Sequence, residues 1–143
     1  MIRYFLVILL ILCLSGCTIE KSPARVSFEA YLKDLKNGNY DNAYQYFSES
    51  NKSNCPVDQF KKNAIDSEEF IQNSRLIFKN ERKTGEKIKI NFLIQLDDSE
   101  IDLFEPAIMD PYAEDETAQL VFENSEWKLD NMIWPVSWCE AEG

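Results

Sequence analysis

The feature that most limits the fold is a change of hydrophobic period midway along the chain. In residues 88–96, Ile88, Ile90, Phe92, Ile94 and Leu96 alternate with Lys89, Asn91, Leu93 and Gln95. Successive side chains of a strand point to opposite faces, so this stretch fits an extended strand with one face buried. Upstream the spacing is helical. Val26, Phe28, Ala30, Tyr31, Leu32 and Leu35 recur at the intervals of one side of a helix. Helices first and antiparallel strands later predict an α+β domain, with the N-terminal helices packed on one face of a curved antiparallel sheet.

Local signals place the boundaries. Ser22 is suited to cap a helix and Pro23 to its first position. Lys33 and Lys36 favour the C-terminal turn, and Asn37-Gly38 stops it. A second short helix is expected over 40–47, with Tyr40, Ala43, Tyr44 and Phe47 on one face. Residues 48–54 read as a polar loop. Cys55-Pro56 opens a third helix, marked by Phe60, Ala64 and Ile65, which continues loosely to Phe70. Strands are expected over 75–82 (turning at Thr84-Gly85), 88–96, 118–123 and 126–133, with a tight turn at Asn124-Ser125 and an end at Trp134-Pro135. Residues 97–116 differ in kind. They hold nine acidic residues and no basic one, broken by Pro106 and Pro111, and read as a long loop or irregular strand.

The chain opens with Met1-Ile2-Arg3, then an unbroken apolar run of 11 residues from Tyr4 to Leu14, then Ser15, Gly16 and Cys17. That run is too short to cross a hydrocarbon core of about 30 Å, but it suits a signal peptide. The ending Leu14-Ser15-Gly16-Cys17 resembles the lipobox of bacterial lipoproteins. The resemblance implies cleavage before Cys17 and diacylglycerol on its sulfur. The organisation it implies is a signal peptide over 1–16, a lipidated cysteine and tether over 17–21, and one domain over 22–143. The protein is then expected in the bacterial cell envelope, extracytoplasmic, with a membrane as partner through the lipid on Cys17. Two or three acyl chains, at about 0.8 kcal/mol per buried methylene, hold such an anchor stably. Thr18 stands where an aspartate often retains a lipoprotein in the inner membrane, so a Gram-negative host implies the outer membrane.

Loss of residues 1–16 removes Arg3 and leaves 14 basic against 25 acidic residues. Such a charge repels phosphate backbones, and nucleic acid is not an expected partner. Of the four cysteines, Cys13 leaves with the signal peptide and Cys17 takes the lipid. Cys55 and Cys139 remain, an even pair in an oxidising compartment, and are expected to form a disulfide. A zinc centre is the weaker alternative, because the chain has no histidine to complete one.

Residues 28–44, in which Asn37-Gly38 is followed by Tyr40, Ala43 and Tyr44, resemble the opening of nuclear-transport-factor-2-like domains. Residues 120–129, ending in Trp127-Lys128-Leu129, resemble their closing hairpin. The resemblance implies a cone in which a strongly bent sheet wraps around the helices and leaves a cavity at the open end. Some members bind or transform small molecules there, and others dimerise through the sheet face. The residues expected to line the cavity are Phe28, Tyr31, Tyr44, Phe60, Phe92 and Trp127.

Motifs for chemistry are few. The missing histidine excludes imidazole triads, and no glycine-rich phosphate loop occurs. Isomerases and cyclases of the superfamily use a cavity aspartate with tyrosine or histidine partners, or an Asp-Arg-Asp relay. Tyr31, Tyr44, Asp34 and Arg75 match none of these motifs residue by residue. Asp98, Glu100 and Asp102 alternate like calcium-loop ligands, but Leu103 stands at the glycine position and Met109 at that of the bidentate glutamate. No catalytic residue, metal or cofactor is therefore expected. Trp134, Pro135 and Trp138 are expected to cover the sheet edge beside the disulfide rather than to mark a partner site. The reading is a non-enzymatic domain that binds an unknown protein or small apolar ligand, with a homodimer through the sheet as a further partner. Two alternatives stand beside it: a cavity isomerase or dehydratase, and an accessory or inhibitor protein whose acidic loop meets a basic partner.

Overall fold

A computed structural model describes residues 21–96, 114–131, 133 and 139. The expectations for the signal peptide, Cys17 and its lipid, the acidic segment before Glu114, Trp134, Pro135 and Trp138 lie outside these residues.

Helix α1 (Pro23–Lys36) forms where its local signals put it. The Ser22 hydroxyl accepts from the Arg25 amide at 3.1 Å, and Pro23 opens the first turn. Ala24, Phe28, Tyr31 and Leu35 form its buried stripe. Gly38, at φ +72°, then turns the chain through the left-handed region that glycine adopts freely. Helix α2 (Tyr40–Gln45) ends two residues before the expected boundary. The reason is a competing partner. The Leu129 amide donates to the Tyr46 carbonyl at 2.7 Å, and the Ser48 amide donates to the Leu129 carbonyl at 2.8 Å. Phe47 thus bridges Leu129 in parallel sense, and this stretch covers a sheet edge that would otherwise stand open.

The expected polar loop over 48–54 is instead helix α3 (Glu49–Asn54). Ser48 caps it, accepting from the Asn51 amide at 3.1 Å. Its buried residue is Asn51, so it has no apolar stripe to betray it. The third expected helix divides at Ser67 into α4 (Val57–Asp66) and α5 (Glu68–Asn73).

The sheet comprises β1 (Ser74–Thr84), β2 (Lys87–Leu96), β3 (Glu114–Glu123) and β4 (Glu126–Leu129). It is an antiparallel meander in the order β1-β2-β3-β4. A register shift between Phe78 and Asn80 bulges β1 at Lys79, a device that bends and twists a strand. Strand β3 starts earlier than the expected residue 118, with Glu114, Asp115 and Glu116 opposite Ile94, Leu93 and Phe92. Strand β4 ends at Leu129 rather than at residue 133. Beyond it the Asn131 side chain replaces the ladder: its oxygen accepts from the Gln119 amide at 2.6 Å and its nitrogen donates to the Thr117 carbonyl at 2.8 Å.

The helices cover one face of this sheet, as an α+β domain requires. Ile90, Phe92, Ile94, Ala118, Leu120 and Leu129 come from the strands, and Ala24, Phe28, Tyr31, Leu35, Ala43 and Phe60 from the helices. Burying side chains of this size removes apolar surface from water at about 25 cal/mol per Å², the main favourable contribution to such a fold.

Candidate functional site

The aromatic residues expected around a cavity fall into two groups. Phe28, Tyr31, Phe60 and Phe92 are buried in the core. Their rings touch one another directly or through Phe47. Phe28 lies 5.2 Å from Phe92 and 6.2 Å from Tyr31, Tyr31 lies 5.7 Å from Phe47, and Phe47 lies 5.2 Å from Phe60. Tyr44 and Trp127 are half-buried. Tyr44 closes the cluster against Phe60 at 5.6 Å, and its hydroxyl donates to the Cys55 carbonyl at 2.9 Å.

Tyr31 is the exception to a well-satisfied interior. Its hydroxyl is buried and has no hydrogen-bond partner among the described residues. Burial pushes its pKa well above the ordinary tyrosine range, so the group is a neutral phenol. The buried polar side chains of the described residues are Ser48, Asn51, Ser67 and Ser74, with no carboxylate among them. Asp34 accepts from the Asn39 amide nitrogen at 3.3 Å, and exposed Arg75 donates to Gln95 at 2.8 Å. Among the described residues neither is hydrogen-bonded to Tyr31 or Tyr44, as a relay would need. Among the described residues no cluster of three or more cysteine, aspartate or glutamate side chains is placed to hold a metal ion.

Cys55 and Cys139 are bonded, with Cα atoms 5.2 Å apart and 84 residues between them in sequence. Both are buried. The Asn63 side chain donates to the Cys139 sulfur at 3.4 Å. The bridge ties the junction of α3 and α4 to the C-terminal region, as the cysteine count led us to expect.

Polar groups concentrate beside β4. Asp130 accepts from Lys87 at 2.8 Å, from the Ser48 hydroxyl at 3.1 Å and from Gln119 at 3.3 Å. Partial burial pushes its pKa up, but the hydrogen bonds from Lys87 and Ser48 and the Lys87 charge outweigh this and hold it below the ordinary aspartate value. This network fixes the edge of the sheet.

Two shallow depressions lie on the described surface. One, of about 280 Å³, is lined by polar side chains and Tyr46: Asp34, Asn42, Gln45, Glu126 and Lys128. The other, of about 430 Å³, is lined by Lys83, Gly85, Glu86, Phe122 and Trp127. The second is the better candidate for recognition, because a large apolar ring faces solvent there. Phe122 is 58% exposed, and its ring centroid lies 5.4 Å from that of Trp127. These two residues are cross-strand partners on either side of the Asn124-Ser125 turn. Of the residues expected to line a cavity, Trp127 is the one that lines this depression. Phe122 and Lys83 were not singled out from sequence. The tight turn made the Phe122–Trp127 pairing readable, but nothing local told that α1 would leave that pair uncovered.

Neither a protein-family model nor a curated protein matches the sequence. Among solved structures, the chain is similar to the crystal structure of a "Putative NTF2-like transpeptidase" from Campylobacter jejuni. The two are 11% identical, with a TM-score of 0.46, over 72% of this chain and 93% of that one.

Proposed function

We propose that this chain is a lipid-anchored protein of the bacterial envelope, held to a membrane through Cys17, whose nuclear-transport-factor-2-like domain binds a partner or apolar ligand and performs no chemistry itself. The observation that carries the reading is the Cys55–Cys139 bond. Disulfides persist in oxidising, extracytoplasmic compartments. The lipobox-like ending at Cys17 supplies both a route to such a compartment and an attachment once there.

Binding is favoured over turnover by what fills the interior. A general acid or base works in a desolvated site with its pKa moved toward the working pH. The described core holds aromatic rings in mutual contact, and its buried polar side chains are serine, asparagine and a neutral tyrosine. Recognition then belongs to the surface, where Phe122 and Trp127 offer the kind of aromatic anchor that dominates binding sites.

Metabolic labelling with an alkyne fatty acid tests the anchor. The parent protein should take up label and fractionate with membranes. Cys17→Ser should take up none and keep its signal peptide. Equal labelling of the variant would sink the proposal.

A further inference from the structure

The sheet has two edges, and they are finished differently. At β4 the stretch from Tyr46 to Ser48 supplies a partner: Phe47 bridges Leu129, and that edge is covered. At β1 no such partner exists among the described residues. Strand β1 pairs with β2 on one side only. Antiparallel pairing engages about half of a strand's amide and carbonyl groups, and the rest point away from the partner. On that open side the Ser74 carbonyl accepts from Lys36 at 2.5 Å. Among the described residues no backbone bond beyond the β2 ladder reaches residues 75–84. Residues 79–84 are all exposed. The bulge at Lys79 divides the edge and leaves residues 80–84, from Asn80 opposite Asn91 to Thr84 opposite Lys87, as a regular open run.

This edge is basic in an acidic protein. Strand β1 carries Arg75, Lys79, Arg82 and Lys83 against Glu81 alone, in a chain of net charge −10. Glu81 is engaged by α1: its carboxylate accepts from the Ser22 hydroxyl and lies 3.8 Å from the Arg25 guanidinium. Lys79 meets Asp115, and Arg75 donates to Gln95. Arg82 and Lys83 have no carboxylate partner among the described residues. Arg82 also stands opposite Lys89 across the ladder. Like charges so placed repel, and an acidic side chain brought alongside would relieve them.

These two features together select an occupant. An open edge offers hydrogen bonds to any extended backbone, and basic side chains and bulges are the means by which edges deter copies of themselves. Two β1 strands laid side by side would crowd like charges, so a second copy is a poor fit. An acidic strand meets no such barrier and gains at Arg82 and Lys83.

We infer that the open edge of β1 receives an extended acidic segment of a partner protein, which adds a strand beside residues 80–84. Main-chain hydrogen bonds would hold it, and charge would choose it over other extended chains. The edge needs neither the lipid anchor nor the Phe122–Trp127 depression, which it borders at Lys83.

The test uses the full chain in a non-ionic detergent and a synthetic peptide about ten residues long, a common strand length, in which glutamate alternates with threonine. A second peptide carries lysine in place of each glutamate. A third keeps the glutamates but has methylated backbone amides, so it retains the charge and loses the donors. Binding is read by titration, and its place by amide hydrogen exchange. We expect the glutamate peptide to bind and to slow exchange within residues 80–84, where outward amides gain acceptors. We expect neither of the other peptides to do so. Arg82→Gln combined with Lys83→Gln should weaken binding roughly threefold to tenfold, the sum of two exposed ion pairs.

No binding of the glutamate peptide overturns the inference. So does equal binding of the lysine peptide, which would leave charge without a part. So does equal binding of the methylated peptide, or binding that leaves exchange at residues 80–84 unchanged, since either would mean a contact of side chains alone. If the double variant fails to fold by circular dichroism, the three peptides on the parent chain still decide the matter. Protection of residues 80–84 that appears without peptide as the protein concentration rises would give the edge to a second copy and likewise overturn the inference.

Discussion

The Asn51 side chain nitrogen donates to two carbonyls at once, those of Leu129 and Asn131, each at 2.9 Å. One buried amide thereby fastens α3 to the end of β4. The Leu129 carbonyl has a second donor in the Ser48 amide.

Asn51→Ala should therefore cost about 1–3 kcal/mol, since it removes both hydrogen bonds by which this buried amide holds the end of β4. Urea unfolding should show the midpoint move down with little change in slope. A loss under about 0.5 kcal/mol would mean that water replaces the amide without penalty.

Tyr31→Phe should behave in the opposite way. The phenol oxygen is buried with no partner among the described residues, so its desolvation is uncompensated. Removing it should leave stability unchanged or raise it by about 1 kcal/mol. A clear loss by thermal denaturation would reveal a partner for the hydroxyl, and with it a polar feature of the interior that a ligand-binding or catalytic reading would have to use.

Asp130 makes stability depend on acid. Partial burial raises its pKa, but Lys87, Ser48 and Gln119 together lower it below its ordinary value of 3.8. A carboxylate whose folded pKa is depressed contributes stability that is complete above the unfolded value and is lost as pH falls through the folded one. The gap in unfolding free energy between the parent and Asp130→Asn should be constant from neutral pH down to about pH 5. It should narrow as pH passes below 3.8. A gap that does not change with pH would show that the amide serves as well as the carboxylate.

What the sequence disclosed depended on how local the cause was. Helix α1 was legible because Ser22, Pro23, a stripe of apolar residues and Gly38 all lie within one stretch. Strand β2 was legible from its alternation. Helix α3 was hidden, because its buried side chain is Asn51 and polarity hides a helical stripe. The early end of α2 and that of β4 were hidden too. Tyr46, Ser48 and Leu129 satisfy one another across more than 80 residues of sequence, and the Asn131 side chain stands in for a strand. Phe28, Tyr31, Phe60 and Phe92, expected to line a cavity, are buried in the core, and their ring-to-ring packing was not foreseeable from their spacing. In the candidate site, Trp127 was legible as a large ring on a closing hairpin. The exposure of Phe122 was not, because it depends on where α1 stops covering the sheet.

The second hairpin carries a correctable flaw. Asn124 and Ser125 both have positive φ, 51° and 68°, as a two-residue hairpin turn of this hand requires. Asparagine tolerates that region, but serine carries a Cβ cost of about 1 kcal/mol. Ser125→Gly should therefore raise the unfolding free energy by up to about 1 kcal/mol. A decrease would mean that the serine makes a contact worth more than the backbone strain.

The disulfide should contribute more than any of these side chains. It closes a loop of 84 residues, and on the chain-entropy model such a closure stabilises by roughly 4 kcal/mol by limiting the unfolded chain. Replacing Cys55 and Cys139 together by alanine should lower the unfolding free energy by about that amount, and reduction of the parent should bring it to the same level. The double variant is the cleaner comparison, because a single replacement leaves a reactive thiol. Removal of the bridge should also loosen the folded chain locally. Cys55 joins α3 to α4, and its carbonyl receives the Tyr44 hydroxyl, so amide exchange should quicken first around residues 55–66. Mass spectrometry of protein recovered from its native compartment completes the test. Two free thiols at positions 55 and 139 would remove the bridge, and with it the main support for an oxidising location.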